Sequence, residues 1–227
     1  MSPLGKSYPI ASGGLSPIFD LPLSQSSYNA GYFMDYGPNG RDGTVLGGGT
    51  PTFATGPDGV ANSAAVFNGS YNIDISVLSP DVYNLNSGSI SFWLKSSTYG
   101  DVIWKVGTSG YPHIVATTNN QILIRYLTAN DGVTNLSVVG ALWHHIVVVQ
   151  DGSEQKIYQD SSLLSNTYST GYWFDEILGS SDPITIGGNP GYAGSGPYEY
   201  NGSLYKFKIY DIALTQEQVT TLYNNKE

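Results

Sequence analysis

Apolar and polar residues alternate strictly through GSISFWLK, residues 88–95. Ile90, Phe92 and Leu94 fall on one face, and Ser89, Ser91, Trp93 and Lys95 on the other. A period of two built from β-branched and aromatic residues predicts a half-buried strand. Two later stretches suit pairing with it in sheets, WHHIVVVQD (143–151) and YKFKIYD (205–211). Together the three predict a β-sandwich core.

The rest of the chain reads around that core. PIFDLPL (17–23) predicts a first strand anchored by Ile18 and Phe19, with Pro17 and Pro22 favouring a sheet edge. A Gly-rich region, 28–49, contains DYGPNGRDG (35–43), which predicts tight turns. Short strands are expected at 63–67, 71–75, 101–106, 121–127 and 135–139. A hairpin at 143–150 and 155–160 turns on Asp151-Gly152. The pattern loosens over 163–200, where a short strand, 184–186, ends in Gly187-Gly188. A last long strand covers 203–210. One helix follows: Thr215 is the N-cap, Gln218 completes a capping box, and Leu214 with Val219 forms a hydrophobic staple. It is expected to end near Asn224 and to pack Val219, Leu222 and Tyr223 onto the sandwich. The fold class is therefore all-β, an antiparallel two-sheet sandwich with one short C-terminal helix. Residues 1–16 are read as an extended arm and 17–227 as a single domain.

Composition narrows the functions. All-β sandwiches reach 227 residues as one domain, and a chain of that size buries enough surface to need no staples. The chain has no cysteine, which excludes disulfides, thiol catalysis and thiolate metal sites. Charged residues make up 12% of the chain and the net charge is −9, which argues against nucleic acid as a partner. No apolar run has the length of a membrane span, and none of secretory type opens the sequence, so insertion in a membrane is not expected.

The order of motifs resembles the laminin-G-like jelly roll of the concanavalin A-like lectin and glucanase superfamily. Asp35 to Gly43 is similar to its early Asp/Gly/Asn turn, and Ala64-Ala65-Val66-Phe67-Asn68-Gly69 to its AxxFxG strand. Ser89 to Lys95 is similar to its TISFWVK strand, and Trp143 to Val149 to its WHHVAVV strand. Ile184-Thr185-Ile186-Gly187-Gly188 resembles LxIGG, and Asn201 to Thr215 resembles its closing NGxxDEVRIYxxALS. The likeness spans about 17–223. It implies a two-sheet jelly roll and leaves function open, since the fold hosts lectins, enzymes, adhesins and structural modules. The closing-strand position that often carries a calcium-ligating acid is Tyr205 here.

Calcium needs six to eight oxygens; Asp35, Asn39 and Asp42 in the Gly-rich turn are the candidate ligands, against an Asx-rich turn with no metal. Glycoside hydrolysis needs two carboxylates facing one cleft. The chain has no Glu-x-Asp-x-Glu pattern, and YNIDI (71–75) offers Asp74 alone, with Asn72 at the alternate position. Nucleophilic catalysis finds no Gly-x-Ser-x-Gly elbow, and the neighbours His144 and His145 face opposite ways in a strand. Aromatic loops remain. Trp104, Tyr111, Trp173, Tyr192, Tyr198 and Tyr200, with Asn189 and Asn201, have the chemistry to stack on sugars and bond their hydroxyls. The same tyrosines also suit packing or contacts with protein.

These readings lead to a non-catalytic surface-attachment module of carbohydrate-binding or adhesion type, with display on a virus particle as one setting. The alternatives are a purely structural capsid or tail decoration protein docking by its 1–16 arm, and a glycoside hydrolase. The expected partners are carbohydrate, neighbouring structural proteins of a particle, or further copies of the chain. The expected location is an extracellular surface or a virion.

Overall fold

Alternating strands that are apolar on one side must bury that side, and two antiparallel sheets do so face to face. In the computed structural model the described residues are 15–96, 101–107, 113–116, 122–125, 130–133, 140, 142–164, 173–188 and 199–227. Their strands, in chain order, are β1 (Phe19–Leu21), β2 (Tyr28–Asn29), β3 (Tyr32–Phe33), β4 (Gly43–Gly47), β5 (Thr52–Ala54) and β6 (Ala64–Asn68). They continue as β7 (Tyr71–Asp74), β8 (Gly88–Ser96), β9 (Asp101–Val106), β10 (His113–Ala116), β11 (Ile122–Arg125) and β12 (Asn130–Val133). The last are β13 (His144–Gln150), β14 (Gln155–Gln159), β15 (Ser162–Leu163), β16 (Ile184–Ile186) and β17 (Asn201–Tyr210). The helices are α1 (Ser79–Val82), α2 (Phe174–Ile177) and α3 (Gln216–Asn225).

One sheet runs β15-β14-β13-β8-β17-β6-β5, with β1 paired to β17 as an eighth strand. The other has nine strands in the order β12-β11-β10-β9-β16-β7-β4-β3-β2. Among the described residues all strand pairings are antiparallel. The core lies between the sheets. Ile90, Phe92, Leu94, Ile146, Val148, Phe207 and Ile209 line it from the eight-stranded sheet, and Phe33, Ile73, Trp104, Val106, Ile184 and Ile186 from the other.

The fold class stands as read, and the three strands taken as the core meet as neighbours: β13 pairs with β8, and β8 with β17. The hairpin turns at Asp151-Gly152, where the Asp151 carboxylate accepts from the Ser153 and Glu154 amides at 3.0 Å each. Those bonds, with the Lys156 ammonium 3.0 Å away, hold the Asp151 pKa far below the usual carboxylate range. The closing helix has its capping box: the Gln218 amide donates to Thr215 Oγ1, and the Thr215 amide to Gln218 Oε1. Leu214 and Val219 are both buried beneath it.

Three expectations change. The Gly-rich region keeps its turn at 35–42 and also holds β2, β3 and β4 on either side of it. Glycine there is a packing requirement: a Cβ on Gly43 would lie 2.7 Å from Ile73 Cγ2. Two further single-turn helices, α1 and α2, accompany the C-terminal one. The central strand β8 is buried on both faces, not one, because α3 covers its second side. The strand expected at 135–139 and residues 1–14 of the arm lie outside the described residues; Leu15 packs half-buried beside Leu214 and Val219.

Candidate functional site

The proposed calcium ligands form a turn that closes a sheet edge. β1 pairs only with β17, so the Asp20 amide and carbonyl face away from the ladder. The Asp20 amide donates to Asp35 Oδ1 (2.8 Å), and the Tyr36 amide donates to the Asp20 carbonyl (2.8 Å). The same Asp35 carboxylate accepts from the Gly37 amide and the Arg41 amide, each at 2.7 Å, and is fully buried. Asp42 accepts from the Asp35 amide (2.8 Å), while Asn39 is exposed and turned toward Asp81. Arg41 fastens the turn to α1 by a two-point ion pair with Asp81, at 2.9 and 3.1 Å. The three side chains thus serve different partners, and among the described residues no group of three or more His, Asp or Glu converges on a point. The turn fits a calcium ion poorly.

The aromatic candidates divide. Trp104, Trp173 and Tyr200 were expected to present rings to solvent, and instead they are core residues. Trp104 meets the Phe174 edge at 5.7 Å, Trp173 lies 4.9 Å from the same ring, and Tyr200 packs edge-on to Phe67 at 5.7 Å. Apolar rings beside a sandwich core gain more from burial than from display. Asn201 opens β17, half-buried, with its amide 3.5 Å from the Glu199 carbonyl. Tyr111, Asn189, Tyr192 and Tyr198 lie outside the described residues.

The outer faces of the two sheets differ more than any other pair of surfaces. That of the eight-stranded sheet carries Val147, Val149, Tyr158 and Tyr210, sealed by Leu214, Val219 and Leu222. Beside them Trp93, His145 and Tyr223 of α3 form a three-ring cluster, with Trp93 4.9 Å from His145 and 5.5 Å from Tyr223 and those two 6.2 Å apart, and the Lys226 ammonium sits over both Trp93 and Tyr223. His145 is fully buried there with Nε2 2.9 Å from Ser91 Oγ, and burial lowers its pKa to about 3.

The nine-stranded sheet instead carries a polar row on its outer face. Residues directly opposite in an antiparallel ladder share a face. The register links Asn29 to Tyr32, Tyr32 to Thr44, Thr44 to Asp74, Asp74 to Thr185 and Thr185 to Lys105. It continues through the backbones of His113 and Arg125. The intervening Phe33, Ile73, Ile184, Ile186 and Val106 point into the core, which fixes the row on the outer side. Five strand spacings of about 4.8 Å make it roughly 24 Å from Asn29 to Lys105. Tyr32 is 49% exposed. Asp74 accepts from the Ser76 amide at 2.8 Å and from the Ser76 hydroxyl. Thr185 donates to the Gly188 carbonyl at 2.7 Å. Lys105 is only 5% exposed, and burial lowers its pKa. Sequence reasoning singled out Asp74 in this row and missed Tyr32, Thr44, Thr185 and Lys105, because their alignment exists only in the register of strands distant in sequence.

A family model described as concanavalin A-like lectin/glucanases superfamily, of laminin-G type, matches residues 67–220. The chain belongs to that superfamily. Solved structures carry the same fold at low identity. Domain 4 of AbnA, a GH43 extracellular arabinanase from Geobacillus stearothermophilus, in complex with arabinotriose, is 21% identical with a TM-score of 0.64, over 92% of this chain and 98% of that one. Trypanosoma rangeli sialidase is 15% identical with a TM-score of 0.63, over 98% of this chain, which spans only 34% of the sialidase. The Ruminococcus gnavus IT-sialidase CBM40 bound to alpha2,3 sialyllactose is 14% identical with a TM-score of 0.53, over 80% of this chain and 96% of that one. No curated protein sequence matches the chain.

Within this concanavalin A-like fold, the closing strand departs from the acidic pattern at a second site of charge. Tyr205 Oη donates to Asp58 at 3.2 Å, and Lys208, nearly buried, pairs with Glu227 at 2.7 Å and lies 3.6 Å from Asp20. A tyrosine stands where the resemblance led one to look for a calcium-ligating acid, and Lys208 ties β17 to Asp20 of β1 and to Glu227 after α3. Among the described residues no helix is long and apolar enough to cross a membrane.

Proposed function

We propose that this chain is a non-catalytic carbohydrate-binding module whose glycan lies along the polar row of the nine-stranded sheet. The observation that carries the reading is the aligned set Asn29, Tyr32, Thr44, Asp74, Thr185 and Lys105 on one outer face. It supplies an exposed ring for stacking at Tyr32 and hydrogen-bonding groups at Asn29, Thr44 and Asp74, while Thr185 is buried with its hydroxyl on the Gly188 carbonyl and Lys105 reaches the surface only at its edge. The arabinotriose and sialyllactose complexes of the arabinanase domain and the CBM40 support the same use of the fold. Glycosidases place two carboxyl groups about 5–10 Å apart. The row offers one carboxylate, Asp74, with its Oδ1 taken by Ser76. On sequence grounds alone, Tyr111, Asn189, Tyr192 and Tyr198 are further candidate sugar contacts, and attachment at an extracellular surface is the role such a module serves.

A glycan-array screen of the purified chain, with Tyr32→Ala in parallel, tests this. Binding that falls about tenfold in the variant, the loss of one good stacking contact, is expected. Binding that is indifferent to Tyr32 and to Asp74→Ala would move the site off this face.

A further inference from the structure

Lys105 stands out among the buried cations of an acidic chain; Lys95 also has no ion pair among the described residues but is only half-buried. Arg41 pairs with Asp81, Lys156 with Asp151 and Glu154, and Lys208 and Lys206 with Glu227. Lys226 lies over the Trp93 and Tyr223 rings. Lys105 is as buried as Lys208, yet among the described residues no carboxylate lies within ion-pair distance of it. Its nearest acidic neighbour in the row is Asp74, two strands away across Thr185 and so about 10 Å off by strand spacing. Burying an ammonium without a counter-ion costs stability. A nearly buried lysine with no acid beside it leaves its charge to be met by an anion from outside the chain, and titratable groups desolvated in this way cluster at functional sites.

We infer that the row selects a carboxylated glycan, a uronate or a sialate, and that the sugar carboxylate pairs with Lys105. This rests on the carbohydrate-binding reading and adds to it the charge of the ligand. The Lys105 end of the row meets the acid group, and the Tyr32 end meets an apolar sugar face. A carboxylate also answers the chain's own charge pattern: it places the negative partner at the buried cation that the protein leaves unmatched.

The test compares matched pairs of probes by titration calorimetry: trigalacturonate against its methyl ester, and alpha2,3 sialyllactose against lactose. The first pair reports a uronate, the second a sialate. At least one acidic probe is expected to bind tenfold or more tightly than its neutral match. Lys105→Met should abolish that difference, a loss of about 10- to 100-fold for one charged hydrogen bond, and Lys105→Arg should keep most of it. Because Lys105→Met removes a desolvated charge and keeps the stem, its melting temperature is expected to equal or exceed that of the parent. Neutral probes binding as well as acidic ones, or a preference that survives Lys105→Met, would overturn the charge assignment and leave the carbohydrate-binding reading intact. A lowered melting temperature in Lys105→Met would assign the lysine to structural support and overturn it too. Failure of every acidic and neutral probe to bind would sink both readings together.

Discussion

The two outer faces solve opposite problems with the same strand pattern. On the eight-stranded sheet, Trp93, Val147, Val149, Tyr158 and Tyr210 are too apolar for water, and α3 with the segment before it covers them. On the nine-stranded sheet the matching positions are Asn29, Tyr32, Thr44, Asp74, Thr185 and Lys105, and no helix of the described residues packs over them in the manner of α3. An alternating strand leaves its second face free to be either core or site. Here the choice is made by the residues at every second position, and the stability of the protein and its recognition chemistry are thereby assigned to different sheets.

If that division holds, the largest loss of stability should come from the covered face. Trp93→Ala removes a ring packed against both His145 and Tyr223 and deletes its indole hydrogen bond to the Glu227 carbonyl. A loss of about 4 kcal/mol in denaturant unfolding is expected. Any change on the polar row that matched it would erase the distinction between the faces.

Next comes the edge of the covered sheet. Asp35→Ala strips the acceptor from three backbone amides, those of Asp20, Gly37 and Arg41, in a buried setting. About 3 kcal/mol should be lost, since each stranded donor keeps its desolvation penalty. Asp42→Ala, which removes one such bond, should cost about 1 kcal/mol. Because these carboxylates already serve amides, melting temperature is expected to stay the same in millimolar calcium and in chelator. A rise of several degrees with calcium would put an ion at the turn and make this edge more than a hydrogen-bonded stop.

His145 makes the covered face sensitive to acid. Its folded pKa, about 3, lies below the unfolded value of about 6.5. The neutral ring is therefore favoured by folding, the unfolded chain binds the extra proton between those values, and stability falls as pH drops through that window. Between pH 6.5 and 4.5, above most carboxylate titrations, the loss should reach about 2–3 kcal/mol. His145→Gln should flatten the urea-midpoint profile over that range while keeping a partner for Ser91. A profile that slopes equally in both proteins would place the sensitive group elsewhere.

Much of this division was readable from sequence, and the unreadable part has a physical cause. Alternation marked β8, β13 and β17, and the Thr215–Gln218 box marked α3, because both are local signals. The same alternation through DVIWKV gives Trp104 the parity of Val106 and so a place in the core; reading Trp104 as a loop aromatic passed over it. Trp173 and Tyr200 sit just before α2 and β17, outside the periodic stretch, where no alternation reports which way a ring turns. Gly43 and Gly47 hid β4, since glycine lowers strand propensity while permitting the close approach to Ile73 that the pairing needs. The polar row was invisible for a different reason. Its members come from six strands spread over residues 29–185, and only the register brings them into line.

The smallest effect on stability should come from the residue with the most to say about binding. Tyr32 is half exposed on β3, a two-residue strand, and its ring contributes little burial. Tyr32→Ala should change unfolding free energy by less than about 0.5 kcal/mol, as for surface positions generally. It should nonetheless weaken glycan binding about tenfold, and Tyr32→Trp should restore or strengthen it by offering a larger stacking face. Trp93→Ala should show the reverse signature under conditions where it stays folded, with stability lost and affinity kept. A Tyr32→Ala protein that unfolded early and still bound normally would show that the open face is held for packing after all, and the contrast between the two sheets would then be one of composition and not of role.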